Sequence, residues 1–173
     1  YDKAALWDLF DGTRARFKNA HECIDRHVDG DRVALRIAHA DGRDEIISFA
    51  ELSRRSSQIA HFLTAQGVAR GDRVAVMIEP SLPFYCAIFG AMKAGAVAVP
   101  MFTLFGPDGI RLRVADCAPR IFFTNAEKAP EAREGGAQNV IVLDRAFLDG
   151  LNDLPTNFDW DTAGDDLAVL QYT

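Results

Sequence analysis

The feature that most constrains the fold is a series of short apolar runs without the polar alternation of a half-exposed strand. Four such runs stand at Val74–Ile78, Ala96–Val99, Ile121–Thr124 and Val140–Leu143. An unbroken apolar run of this length is typical of a strand buried on both faces, as in parallel sheets covered by helices. We therefore expect the four runs to share one sheet.

The segments between these runs carry helix signals. Ser48 and Glu51 form a capping box, and an apolar stripe follows as far as Gly67. Gly95 stands where a left-handed residue usually closes a helix. The other expected helices run from about Leu82 to Ala94, from Pro107, and from Ala129 to Glu134. Strands joined by helical crossovers are parallel, so the predicted class is α/β, with a doubly wound, mostly parallel sheet and flanking helices.

The N-terminal part has a different pattern. Residues 1–47 are predicted to be a leader and hairpin that pack on an α/β domain formed by residues 48–173. A turn signal at Asp41–Arg43 separates the apolar run Val33–Ile37 from Ile46–Ile47, which favours two antiparallel strands.

The C-terminal part, Asp165–Thr173, is predicted to be a turn followed by one more strand. Ligands of doubly wound sheets lie beyond the carboxyl ends of the strands, so the loop expected after this strand would matter most for function. Leu167, Val169 and Leu170 would lack cover in a chain that stops here. We therefore expect self-association, or docking on the remainder of a longer enzyme.

Composition excludes several classes of protein. The chain has 19 Lys+Arg and 25 Asp+Glu, a net charge of −6, and its cations are scattered, which argues against a nucleic-acid partner and favours a small molecule. Cys23, Cys86 and Cys117 lie far apart, as expected for reduced thiols of a cytoplasmic protein. Lys93 and several Pro and Gly residues interrupt the apolar stretch Pro80–Pro107, so no membrane span is predicted.

Motifs for catalysis or metal binding are incomplete. The sequence has no glycine-rich phosphate motif with its Lys and no Gly-x-Ser-x-Gly nucleophile turn. Cys23 and His27 share a helical face, but two ligands do not make a zinc site. We predict neither a catalytic residue nor a metal site within the chain.

Several separated segments resemble the N-terminal region of the adenylate-forming superfamily, which includes AMP-forming acyl-CoA synthetases, luciferases and adenylation domains of peptide synthetases. They are Ile47–Leu52, Gly67–Ala75 and Lys93–Pro100. Asp165–Thr173 is similar to the family's lead into its Ser/Thr-Gly-rich phosphate loop, and Phe17–His27 is most similar to short- and medium-chain acyl-CoA synthetases.

The resemblance implies the chemistry of the parent enzyme. Such an enzyme uses MgATP to convert a carboxylate to an acyl-adenylate, releases pyrophosphate, and transfers the acyl group to coenzyme A (CoA). ATP, Mg²⁺ and CoA are therefore expected for the parent, with none held tightly by this chain. The phosphate loop, the metal-binding acid and the C-terminal domain with its Lys are not in the sequence, so the chain alone is expected to be inactive.

The same resemblance implies candidate binding residues. Phe102, Thr103 and Leu104 match a family segment near the thiol arm of CoA, and Lys128 and Arg133 match a segment that places cations near the CoA nucleotide in some relatives. The alternative interpretation of Phe102 and Leu104 is loop packing, and that of the two cations is a solvated helix face.

Two other functions remain open at the level of sequence. One is a separate flavodoxin-like module that binds a nucleotide or flavin at its strand ends. The other is a non-catalytic interaction domain built on the same fold, since a fold alone does not determine function.

Overall fold

The computed structural model describes residues 6–39 and 41–172. Within the described residues, a 3-10 turn at Trp7–Leu9 comes first. It is followed by a short helix, α1 (Asn19–Cys23), and an antiparallel hairpin of β1 (Val33–Ala38) and β2 (Asp44–Ser48). Gly42, with φ +84°, lies in the turn, where its N–H donates to the carbonyl of His39. The predicted hairpin is confirmed.

A second set of elements alternates between helix and strand. In chain order they are α2 (Phe49–Ala65), β3 (Arg73–Met77), α3 (Leu82–Lys93), β4 (Val97–Pro100), α4 (Pro107–Cys117), β5 (Ile121–Thr124), α5 (Ala129–Glu134), β6 (Val140–Val142) and α6 (Arg145–Asp149). The four strands are parallel in the order β4-β3-β5-β6. The four apolar runs therefore form one sheet, as predicted.

Helices cover both faces of this sheet. Val74 and Val76 of β3 face a core shared with α2, α3 and α6, whereas Ala75 and Met77 face a core shared with α4 and α5. Since successive strand residues point to opposite faces, both sets of side chains are buried. The doubly wound α/β class is confirmed.

The signals that begin and end the helices act at the predicted positions, although the structure shows only one of the two bonds of the capping box expected at Ser48 and Glu51. The Ser48 hydroxyl accepts the N–H of Glu51 at 3.1 Å, and Gly67 and Gly95 have φ values of +76° and +72° beyond the ends of α2 and α3.

The helical face expected to carry both Cys23 and His27 is divided, because α1 ends at Cys23 and a separate 3-10 turn covers Asp25–His27. The sequence did not indicate α6, which has five residues. Asp144 caps α6 by accepting the N–H of Phe147 at 2.8 Å.

The predicted closing strand within Asp165–Thr173 is wrong. Val169 makes a single parallel bridge to Ala98, in which Ala98 donates to the carbonyl of Ala168 and accepts from the N–H of Leu170. The next donor in such a ladder would be Pro100, which has no N–H, so the pairing stops after one bridge. Thr173 lies outside the described residues.

A buried cation ties the N-terminal part to the helical layer. Lys93 is 1% exposed, and its Nζ donates to Oδ1 of Asp25 at 2.7 Å, to Oγ of Ser57 at 3.0 Å and to the carbonyl of Ser53 at 3.1 Å. Each of the three ammonium protons therefore has an acceptor.

Across the part of the chain that is described, no helix is both long and apolar enough to cross a membrane.

Candidate functional site

The loops that follow β3 and β4 enclose a cavity of about 160 Å³ at the carboxyl edge of the sheet. The chain passes from β3 to its neighbour β4 on one side and then crosses back to β5 on the other side. In open α/β sheets the ligand crevice lies outside the carboxyl ends of the strands, near such a reversal. The cavity is therefore the candidate site.

The cavity wall is mainly apolar. Its apolar lining consists of Ile78, Pro80, Phe84, Pro100, Met101 and Phe102, and its polar lining residues are Glu79, Thr103, Gln171 and Tyr172. An apolar cavity with a few placed polar groups is the usual form of a small-molecule site.

One side-chain hydrogen bond joins the two loops at the cavity. The hydroxyl of Thr103, after β4, donates to the carboxylate of Glu79, after β3. Phe102 lies beside it, and its ring meets that of Phe105 edge to face at a centroid distance of 5.8 Å. Phe102 is nevertheless 62% exposed, so much of its apolar surface is open to a ligand.

Tyr172 attaches the C-terminal segment to α4. Its hydroxyl donates to Oδ2 of Asp116 at 2.6 Å, and its ring faces the guanidinium of Arg113 at 5.4 Å. That guanidinium also stacks on Phe105 at 3.6 Å. Desolvation and the bond to the Asp116 carboxylate both raise the pKa of Tyr172, so the phenol stays protonated and donates.

The structure brings together only two of the five residues predicted to bind CoA. Phe102 and Thr103 line the cavity, whereas Leu104, Lys128 and Arg133 are not part of its wall. Leu104 is 94% exposed. The Nζ of Lys128 pairs with Oε1 of Glu131 at 3.0 Å, and Arg133 lies five residues along the chain, about 7.5 Å farther along the helix axis.

Sequence reasoning missed Glu79 and Tyr172 as members of the site. The signal for Glu79 was available, because it follows β3 as closely as Phe102 follows β4, and parallel strands end at the same edge. Tyr172 could not be found in this way. It reaches the cavity only through the single bridge at Val169 and its bond to Asp116.

The described residues do not form a metal site. Among residues 6–39 and 41–172, no three His, Cys, Asp or Glu side chains are grouped so as to hold a metal ion. The carboxylate of Glu22 instead accepts the N–H groups of Asp11 and Gly12 and a bond from Arg26. We therefore assign none of these residues to Mg²⁺.

The fold and the carboxyl-edge cavity are those of an α/β ligand-binding domain, and comparison with known proteins makes the class specific. The model of the AMP-binding enzyme family matches residues 24–173. The chain belongs to this family. The predicted resemblance to the N-terminal region of AMP-forming acyl-CoA synthetases is confirmed.

Individual relatives agree with this assignment. The chain is 33% identical over 146 residues to the acetyl-coenzyme A synthetase of Xanthobacter autotrophicus, covering 73% of this chain and 22% of that protein. It is 34% identical over 87 residues to the long-chain-fatty-acid–CoA ligase FadD13 of Mycobacterium tuberculosis, covering 50% of this chain and 17% of the ligase.

A solved structure extends the agreement to the whole chain. The crystal structure of an acyl-CoA synthetase from Brucella canis superposes with a TM-score of 0.89 at 25% identity, covering 100% of this chain and 34% of that one. The chain thus spans about a fifth of the length of the acetyl-coenzyme A synthetase and about a third of the Brucella protein. The family match favours the adenylate-forming hypothesis over a separate flavodoxin-like module.

Proposed function

We propose that the protein containing this chain is an AMP-forming acyl-CoA ligase. It activates a carboxylate with ATP and Mg²⁺ and transfers the acyl group to CoA. The family match over residues 24–173, with the cavity at the carboxyl edge, is the observation that supports this proposal. The chain's three cysteines are free thiols, which supports a cytoplasmic location as part of the same proposal.

The chemistry assigned to this chain is binding and positioning. A carboxylate is a poor electrophile, and conversion to a mixed anhydride with AMP supplies a good leaving group. The apolar wall around Met101 and Phe102 would exclude water from the thiol arm of CoA, which protects the anhydride from hydrolysis. Thr103 would hold the two loops at a fixed separation through Glu79.

The two cations have a separate proposed role. Lys128 directly precedes α5 at the carboxyl edge of β5, and Arg133 is exposed near the other end of that helix. We assign both to the phosphates of the CoA nucleotide, although the side chain of Lys128 is only 22% exposed and would have to exchange its pair with Glu131 for a phosphate. Cations at the surface raise the rate of encounter with an anionic ligand.

The test is the effect of substitutions on the CoA-dependent step in the protein containing this chain. Phe102→Ala, Lys128→Ala and Arg133→Ala should each raise the KM for CoA about three- to tenfold, a loss of about 0.7–1.4 kcal/mol of binding free energy. Carboxylate-dependent pyrophosphate release without CoA should stay unchanged. Leu112→Ala and Arg43→Ala serve as matched exposed controls.

Two results would count against this assignment. An unchanged KM for CoA in all three variants would remove these residues from the CoA site. A protein that forms no acyl-CoA at all, with any carboxylate from acetate to octanoate, would favour the interaction domain instead.

A further inference from the structure

Two surface segments of opposite charge lie side by side although they are far apart in the sequence. Residues 14–18, here called the basic segment, carry three cations and no acid. Residues 159–166, here called the acidic segment, carry four acids and no cation. Charges separated in this way attract one segment to the other.

The two segments pair in antiparallel order. The N–H of Phe17 donates to the carbonyl of Thr162 at 2.8 Å, and the Thr162 hydroxyl donates to the carbonyl of Phe17 at 2.6 Å. Farther along, the N–H of Gly164 donates to the carbonyl of Arg14 at 2.8 Å. These three bonds determine which charges face one another.

Every cation of the basic segment meets a carboxylate of the acidic segment, and we call these three ion pairs the charge ladder. The nitrogen-to-oxygen distances are 2.9 Å between Arg14 and Asp165, 3.7 Å between Arg16 and Asp161, and 2.8 Å between Lys18 and Asp159. A single exposed pair contributes little, but several charges in one network contribute together. Because both side chains of the first pair are 72% exposed, dissolved ions screen the attraction.

The acidic segment leads directly to the candidate site. Next along the chain, residues 168–170 make one bridge to Ala98 of β4, and Gln171 and Tyr172 then line the cavity. Tyr172 has its own bond to α4, and Leu167, which joins the acidic segment to the bridge, is 59% exposed. An exposed stretch held by one bridge opens at low cost, so the bridge depends on what holds the segment before it.

We propose that the charge ladder positions the C-terminal wall of the cavity, and that ionic strength determines how firmly this wall is held. Arg14, Arg16 and Lys18 are positioning residues, since they act through the acidic segment and not on a ligand. The inference rests on the proposed function and deepens it, because Gln171 lines the same cavity. It adds regulation by salt, which screens the ladder and opens the bridge at Ala98.

Amide exchange of the chain in D₂O tests the ladder at about 0.01 M and about 1 M NaCl, where the Debye length is about 30 Å and about 3 Å. The reporters are the N–H groups of Ala98 and Leu170, which form the bridge. The internal control is the N–H of Leu143, which donates to Thr124 at the opposite edge of the sheet. Relative to Leu143, both reporters should exchange about three- to tenfold faster in the higher salt.

Charge reversal separates electrostatics from packing. Arg14→Asp places a carboxylate opposite Asp165, and in low salt it should speed exchange at Ala98 and Leu170 about three- to tenfold. Combining it with Asp165→Arg should bring the rates back to within about twofold of the wild type. Arg43→Asp, at an equally exposed arginine of the hairpin turn, is the matched control and should leave both reporters unchanged.

Three results would overturn the inference. Exchange at the two reporters that does not respond to salt would exclude the ladder as their support, as would a reversal that the charge swap does not rescue. Equal acceleration at all three amides would show that the charges stabilise the whole chain and not this wall. Because the readout is exchange in the chain itself, it can fail while the ligase activity holds, and the activity can fail while the ladder holds.

Discussion

The buried ammonium of Lys93 shows how much one side chain contributes to the packing of this domain. It joins Asp25, next to α1, to Ser53 and Ser57 on α2 while lying on α3 itself. Breaking a buried ion pair by removing one partner costs about 3–5 kcal/mol, whereas an exposed pair is worth less than about 1 kcal/mol. Because the Asp25 side chain is 19% exposed, we expect the lower end of that range.

Lys93→Met should therefore lower the free energy of unfolding by about 3 kcal/mol. Lys128→Met is the matched control, since its ion pair with Glu131 is more exposed than that of Lys93 and joins two residues of the same helical turn, and it should cost about 1 kcal/mol or less. Urea denaturation measures both. Equal losses would contradict the structural role assigned to Lys93.

The pH dependence of the same residue gives a second prediction. Burial lowers the pKa of Lys93 below its ordinary value of 10.5, and Asp25 opposes that shift. The unfolded chain then binds the proton more tightly than the folded chain, so the stability due to this group rises with pH just below 10.5. Relative to Lys93→Met, the wild type should gain free energy of unfolding as the pH rises toward 10.5. A fall in the free energy of unfolding of the wild type relative to Lys93→Met over that pH range would contradict a lowered pKa of Lys93.

Gly95 tests backbone strain at a single position. With φ +72° it occupies a conformation that costs an L-residue about 1–3 kcal/mol, although its nearest neighbour, Arg70, would leave room for a Cβ. Gly95→Ala should lower the free energy of unfolding by about 1 kcal/mol. Gly109→Ala, inside α4 where φ is not positive and the nearest atom to a Cβ lies 3.4 Å away, should not lower it. Equal urea midpoints for the two variants would show that strain is absent at Gly95.

At the level of elements, the C-terminal segment rests on few interactions. Its hydrogen bonds to Ala98 are supported by exposed ion pairs of Arg70 with Asp166 and of Arg14 with Asp165. Leu167 and Val169 stay 59% and 37% exposed. The lack of cover expected from the sequence is thus present for these two residues, and the self-association inferred from it stays a prediction.

Hydrogen exchange tests this arrangement directly. The N–H of Leu170 donates to Ala98, so it should exchange more slowly than its neighbours Val169 and Gln171, which lack such a bond in the β4 pairing. Heteronuclear NMR in D₂O resolves the three amides. Equally fast exchange at all three positions would show that the bridge does not persist.

The elements that the sequence predicted share a physical property. Runs such as Ile121–Thr124 are buried on both faces, and caps such as Ser48 act through neighbouring residues, so the local sequence carries the information. The prediction of a closing strand was wrong because the pairing of that segment depends on Pro100, some seventy residues away. Helix α6 was missed because five residues give little periodicity. The partners of Lys93 are likewise set by tertiary packing.

The residues of the candidate site likewise divide into those that the sequence indicates and those that only tertiary contacts bring together. Phe102 and Thr103 were reached through a resemblance to a family, and the structure places both on the cavity wall. Glu79 follows from the topology of the sheet, once strand order is known. Tyr172 depends on side-chain contacts with Arg113 and Asp116 that no local pattern records.

At the scale of the whole molecule, the family assignment makes a definite statement about products. Activation through an acyl-adenylate cleaves ATP to AMP and pyrophosphate, whereas kinases and most ATPases yield ADP. The chain matches about a fifth of the length of the acetyl-coenzyme A synthetase, so we propose this chemistry for the protein that contains the chain and not for the chain alone. We expect the 173-residue chain alone to release no pyrophosphate.

The most direct test of the central claim is to identify the products formed from ATP, Mg²⁺, CoA and a panel of carboxylates by the protein containing this chain. The account predicts AMP and pyrophosphate in equal amounts, dependent on the carboxylate, with one acyl-CoA formed for each AMP. Formation of ADP and phosphate, or AMP release that needs no carboxylate, would contradict it.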